Sequence, residues 1–182
     1  MRVVVGQSMV EIVQGELISQ NTQAIVNALN SSILGKAGRD GALLRAAGPA
    51  VAEEVRKLGN CDMGVAKITS GGKLRVNHII HAAGPVYRGG FSGEPELLAR
   101  TYKRSMDVAV QAGVKRIAFP AISVGANGYP PDQAAEVAVR AAIAYLRDHP
   151  ELLLVRFVLN SKEVYRCFEI ALTAMSRGQC AA

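Results

Sequence analysis

The stretch Arg116-Ile117-Ala118-Phe119-Pro120-Ala121-Ile122-Ser123-Val124-Gly125-Ala126-Asn127-Gly128-Tyr129-Pro130, with the helical pattern Pro131 to Leu146 behind it, decides the fold class. Arg116 to Pro120 is a short apolar run, which fits a strand buried on both faces. The helix starts at Pro131, where the missing N–H of proline costs nothing. Between the two lies a connection rich in small residues. Strand, glycine loop and helix in this order are the unit from which a layered α/β sheet is built.

Outward from this unit the same alternation continues. Arg2 to Val5 and Met9 to Val13 are β-branched runs broken by Gly6-Gln7-Ser8, which predicts an opening hairpin. Ala24 to Val26, Ala66 to Thr69, His78 to His81 and Leu152 to Leu159 read as further strands. Asp40 to Ala47, Pro49 to Leu58, Pro95 to Ala112 and Lys162 to Met175 read as helices. The expectation is a three-layer α/β fold whose sheet is mixed: mostly parallel, with an antiparallel contribution from the N-terminal hairpin. Residues 1–176 form a single domain in this reading, and 177–182 a frayed tail.

The chain has 182 residues, enough for one compact domain with a real core. Its 49% hydrophobic and 20% charged residues, with seven Pro, exclude a disordered or collagen-like chain. No apolar stretch reaches the ~18 to 20 residues of a membrane span, and no signal-peptide pattern completes at the start. Cys61, Cys167 and Cys180 are odd in number and far apart, which supports neither a disulfide framework nor a structural zinc site. A soluble, cytoplasmic protein without a metal is expected. Twenty-one Lys plus Arg against fifteen Asp plus Glu give +6, a mild bias toward anionic partners such as nucleotides or RNA.

Ligands of open α/β sheets sit beyond the carboxyl ends of strands, where loops lead into helix N-termini that attract anions. Two loops meet this description, Asn27 to Gly41 after Ala24–Val26 and Pro120 to Pro130 after Arg116–Phe119. Glycine lets backbone N–H groups converge on a phosphate without a Cβ in the way. Neither loop matches the dinucleotide G-x-G-x-x-G fingerprint or the P-loop ending in Gly-Lys-Ser/Thr. Together they favour a ligand site that cradles a diphosphate.

Other groups read as structural. His78 and His81 stand at i and i+3 of one strand, on opposite faces, so they make no same-face metal pair. His149 has no partner spacing. Cys61 has no basic sequence neighbour to lower its pKa, and Ser123 has no identifiable base. The basic residues at 100, 103, 104, 115 and 116 read as a solvated helix face and its exit, with aromatics too sparse for nucleic-acid stacking.

The order Val13-Gln14-Gly15-Glu16-Leu17, Ala24-Ile25-Val26-Asn27-Ala28-Leu29-Asn30, a glycine loop ending Asp40-Gly41, Arg45-Ala46-Ala47-Gly48-Pro49, His81-Ala82-Ala83-Gly84-Pro85-Val86-Tyr87 and Ile117 to Pro130 resembles a macro domain of the MacroD type. The likeness runs from about Val10 to Met175. It implies an α/β/α sandwich with a mixed sheet, binding of ADP-ribose, and hydrolysis of ADP-ribose esters without a cofactor. The substrates so implied are mono-ADP-ribosyl groups on acidic side chains or O-acetyl-ADP-ribose.

Carried over by residue, the resemblance places Gly15, Glu16 and Leu17 by the adenine and Asn30 at the distal ribose, with Asn27 among the ligand contacts. Asp40 becomes the acidic catalytic residue, orienting or activating a water. Its competing role is to cap a helix start. Asn27 and Asn30 have a bland alternative too, that of satisfying loop backbone. Gly35 and Gly38 would line the substrate loop. Ser123, Val124, Gly125, Ala126, Asn127 and Gly128 would form the phosphate-binding backbone.

The chain departs from the family pattern at several points. Glu16 stands where Asp is usual, and Gly35-Lys36-Ala37-Gly38 where four glycines are usual. Lys36 then either blocks the site or adds a phosphate contact. Leu44 replaces a His that many hydrolytic members carry, Val124 a Thr, and Asn127 an aromatic residue flanking the distal ribose. A binding module without turnover is therefore the second reading, and RNA binding the third.

Overall fold

The computed structural model describes residues 1–29 and 39–177. Among them, seven strands form one sheet: β1 (Arg2–Val5), β2 (Ser8–Gln14), β3 (Ala24–Leu29), β4 (Ala66–Ser70), β5 (His78–Ala83), β6 (Arg116–Phe119) and β7 (Leu154–Leu159). Their order is β1-β2-β7-β6-β3-β5-β4. The five central strands β2, β7, β6, β3 and β5 run parallel, and β1 and β4 are antiparallel at the two edges. The hairpin at the β1 edge agrees with the sequence reading. The antiparallel β4 at the far edge was not expected. Its reason is the short Gly71–Asn77 connection, which cannot hold the dozen or so residues of a parallel crossover.

Strand sequences that are apolar on consecutive residues supply two cores. Ile25, Ile79, Ala118 and Val158 face one side, where they meet Val51 and Val55 of the helix pair α1 (Arg39–Ala47) and α2 (Pro49–Leu58). Val26, Ile80, Ile117, Phe119 and Phe157 face the other, against α3 (Glu94–Gln111), α4 (Pro131–Asp148) and α5 (Lys162–Arg177). Period-two alternation thus fills both cores from one strand set. The fold is a three-layer α/β/α sandwich. An aromatic cluster in its core joins Tyr102, Phe119, Phe157 and Phe168, with neighbouring ring centroids 5.0 to 6.1 Å apart. Full burial of one such side chain stabilises the fold by roughly 1.5–3 kcal/mol. No helix among the described residues is long and apolar enough to cross a membrane.

The element limits differ from the sequence reading in instructive ways. β3 continues through Leu29 instead of stopping at Val26, because its ladder to β5 pairs Asn27 with His81 and Leu29 with Ala83. Asn27 is therefore a strand residue, and the first loop begins after Leu29. α3 starts at Glu94, one residue before Pro95, and the Glu94 carboxylate accepts the N–H groups of Arg88, Gly90 and Ser92 at 2.6–3.2 Å. α5 runs two residues past Met175.

The β1/β2/β7 end of the sheet carries a polar staple. Glu11, 3% exposed, accepts from Arg2 Nε and Arg156 Nε, each at 2.5 Å. Burial raises the pKa of this carboxyl, but the Arg156 and Arg2 guanidiniums outweigh it, and the net shift is downward. Arg156 also donates to Gln20 Oε1 and Asn21 Oδ1 at 3.0 and 3.2 Å. The staple thereby fixes the segment that follows β2.

Candidate functional site

A cleft of about 340 Å³ opens beyond the carboxyl ends of β2, β7, β6 and β3. Gly15 to Ile18 form one wall, Pro120, Ala121 and Ser123 to Asn127 the other, Asn27 to Leu29 the floor, and Ala42 and Leu43 of α1 reach in from the side. Gly15 is held in place by its N–H, which donates to Leu159 O at 3.1 Å. This is the location that the strand-end rule predicts for an open α/β sheet.

The second wall owes its shape to the sequence between β6 and α4. Ser123 takes φ 66°, a left-handed conformation that costs a non-glycine residue on the order of 1 kcal/mol or more. Around it, Tyr129 N–H donates to Ser123 O at 3.1 Å and Gly128 N–H to Gly125 O at 2.8 Å. Tyr102 anchors the loop from the core: its hydroxyl accepts from Ile122 N–H at 3.0 Å, and burial pushes its pKa up. Asn127 Nδ2 donates to Gly84 O at 3.2 Å, and Tyr87 N–H returns a bond to Asn127 O at 2.9 Å. The loop is thus pinned from below and from the side. Among the described residues, the N–H groups of Ser123, Val124, Gly125, Ala126 and Asn127 find no intramolecular acceptor. Five consecutive unsatisfied donors at a strand end, leading toward the start of α4, make a receptor for an anion.

Of the residues singled out in the sequence, Gly15, Glu16, Leu17, Asn27, Ser123, Val124, Gly125, Ala126 and Asn127 line this one cleft. Gly128 does not; it closes the turn behind the wall. Asn127 lines the cleft, but its side chain is spent on Gly84, so it shapes the wall from inside. Asn30, Gly35 and Gly38 lie outside the described residues. Asp40 is the second residue of α1, and only its backbone is described. Asn160, which follows β7, lines the cleft and was not anticipated. It carries no glycine signal, although the strand-end rule applies to β7 as much as to β6. Glu16 is the only ionisable side chain among the described lining residues.

Beneath the floor, Asn27 Nδ2 lies 3.3 Å from His81 Nδ1, and His81 Nε2 lies 2.9 Å from Thr69 Oγ1. His81 is fully buried, which agrees with its reading as structural. Burial pushes its pKa from the ordinary 6.5 down to about 4, against the weaker opposing pull of the Glu54 carboxylate. The unfolded chain then binds more protons than the folded one between these two values. Stability is unaffected above the unfolded pKa and falls as pH drops through the window, by up to about 1.4 kcal/mol per pH unit. Urea unfolding between about pH 7.5 and 4.5 is expected to show this slope in the unaltered protein and to lose it in His81→Asn. A slope unchanged by the substitution would assign the proton uptake elsewhere.

Cys61 donates weakly to Val65 O and His81 O, and burial pushes its thiol up, in keeping with an inert cysteine. His149, read as lacking a partner, in fact pairs with Glu151 at 3.0 Å across Pro150 and stacks on Tyr145 with centroids 4.0 Å apart. No group of three or more His, Cys, Asp or Glu residues suited to a metal occurs among the described residues.

Comparison with known proteins agrees with this geometry. The Macro domain family model matches residues 26–138. A macro domain-containing protein of Caldanaerobacter subterraneus is 43% identical over 166 residues, covering 89% of this chain and 94% of the relative. A protein of Cronobacter sakazakii named O-acetyl-ADP-ribose deacetylase is 40% identical over 164 residues, covering 88% and 91%. Among solved structures, a macrodomain of Oceanobacillus iheyensis with ADP superimposes with a TM-score of 0.92 at 32% identity, covering 98% of this chain and 97% of that one. A variant of that macrodomain with ADPR gives a TM-score of 0.88 at 34% identity, covering 96% and 97%. The sheet order, the anion-receptive loop and these likenesses agree, and the chain belongs to the macro domain family.

Proposed function

We propose that the protein binds ADP-ribose in the cleft and hydrolyses ADP-ribose esters, either O-acetyl-ADP-ribose or mono-ADP-ribose on acidic side chains. The observation that carries the reading is the run of unsatisfied N–H donors from Ser123 to Asn127 beside a cleft without a lining Lys or Arg among the described residues. A diphosphate fits such a wall, since several N–H dipoles neutralise it in place. Glu16 and Leu17 stand at the base end, the carboxylate as acceptor for an exocyclic amine and the leucine as apolar contact. The names of relatives at 40% identity support the ester as the reacting group.

In this reading Asn30 holds the distal ribose and Asp40 accepts a proton from the attacking water. The water oxygen bonds to the ester carbonyl carbon, the bond to the ribose oxygen breaks, and that oxygen takes the proton held by Asp40 and leaves as a hydroxyl. Gly35 and Gly38 line the substrate loop, and Gly128 supports the phosphate wall through its bond to Gly125. A second reading, recognition without turnover, rests on Leu44, which packs against the α1/α2 core and offers no proton-transfer group beside Asp40.

Isothermal titration with ADP-ribose, ADP and AMP tests the binding step. Tighter binding of ADP-ribose than of ADP is expected, because the distal ribose adds contacts. Absence of binding to all three would sink the reading. Release of acetate from O-acetyl-ADP-ribose at many turnovers per protein separates the enzyme from the binding module.

A further inference from the structure

Asn27 sits in the floor of the cleft, yet one side of its amide is bonded away from it. Nδ2 points to Nδ1 of His81, the residue opposite it in the β3/β5 register. An amide nitrogen only donates, so Nδ1 accepts, and the proton of the neutral imidazole resides on Nε2. Nε2 then donates to Thr69 Oγ1, whose hydroxyl continues to Ser70 O at 3.1 Å. Three neighbouring strands carry one directed line of hydrogen bonds, and Asn27, His81 and Thr69 are 3%, 0% and 4% exposed.

Such a line is costly to bury, and adjoining positions on the same sheet face are filled by Ile25 and Ile79. Its far end terminates on backbone. Its near end is Asn27, whose Oδ1 meets no donor among the described residues while the residue lines the cleft. We infer that His81 is a positioning residue for ligand binding: by accepting from Nδ2 it locks the Asn27 amide with Oδ1 turned to the cleft as a fixed acceptor. On the ADP-ribose reading, on which this rests, the acceptor takes a ribose hydroxyl. A free amide presents its donor and its acceptor to the cleft in turn, whereas the locked one presents the acceptor alone.

Two substitutions separate positioning from packing. In His81→Asn the new Oδ1 falls near the former Nδ1 and keeps an acceptor for Asn27. In His81→Gln the polar atoms fall near the former Nε2, so the bond to Thr69 is kept and the one to Asn27 is lost. Both variants are expected to melt at lower temperature than the unaltered protein. ADP-ribose affinity is expected to fall about five- to tenfold in His81→Gln and to stay within about twofold in His81→Asn. Equal weakening of the two, or full affinity in His81→Gln, overturns the inference while leaving ADP-ribose binding intact. No binding by the unaltered protein overturns the cleft reading and the inference with it. Should either variant fail to fold, long-range proton–nitrogen correlation spectra of the unaltered protein decide the matter: the Nε2–H tautomer is expected, and an Nδ1–H tautomer overturns it.

Discussion

Asp40→Ala is expected to lower kcat for O-acetyl-ADP-ribose by about 100- to 10,000-fold, the range for loss of a positioned general base. ADP-ribose affinity should change little by comparison, because on the proposed reading the diphosphate and the base are held by Ser123 to Asn127 and Gly15 to Leu17, which belong to other elements lining the cleft. Asp40 is the second residue of α1. The same position would suit a simple helix cap, and the two roles give different results. Loss of a cap costs about 1 kcal/mol of stability without selective loss of kcat. A variant that melts slightly earlier yet turns over normally would make Asp40 a cap, and the catalytic assignment would fall.

Gly84→Val is expected to weaken ADP-ribose binding by roughly 10- to 100-fold, equivalent to the 1–3 kcal/mol typical of overpacking. Gly84 follows β5 and lies behind the phosphate wall. A Cβ there would clash with Ser123 Oγ and come within 2.5 Å of Ile122 Cγ2. Ser123 belongs to the wall, Ile122 is its buried neighbour, and Ser123 already holds a strained conformation. The Gly84 carbonyl also accepts the Asn127 amide, so displacement of one segment displaces the other. Titration should show the loss in affinity for ADP as well as for ADP-ribose, because on the proposed reading this wall holds the diphosphate that both ligands share. Wild-type affinity for both ligands in Gly84→Val would mean that the wall is not held by this contact and that the anion binds elsewhere.

The fold was largely legible in the sequence because its signals are local. Runs such as Ile117-Ala118-Phe119 declare a strand covered on both faces, and Pro at 49, 95 and 131 marks helix starts by removing an N–H that has no partner there. The edge pairing of β4 was not legible, since antiparallel addition depends on the length of a connection and on which edge is free. Element limits also escaped local reading. Asn27 looks like a loop residue by composition, and only the ladder to β5 carries the strand through it.

The candidate site was legible where glycine and small residues concentrate. Gly15 to Leu17 and Ser123 to Asn127 converge on one cleft although they are far apart in the chain. Asn160 was missed because a single Asn after a strand carries no signal of its own. His81 reads as structural in the sequence, and its link from β5 to Asn27 on the neighbouring β3 is invisible in a linear pattern.

By itself the sequence determined the strand and helix types, the two loops rich in small residues and the family resemblance, because periodicity, proline and glycine act within a few residues. The tertiary structure alone decided which N–H groups are left without acceptors, which way the Asn127 amide is spent, and how His81 is joined to the cleft floor. These depend on hydrogen bonds between residues far apart in the chain, and a hydrogen bond exists only once packing brings its two partners within about 3 Å.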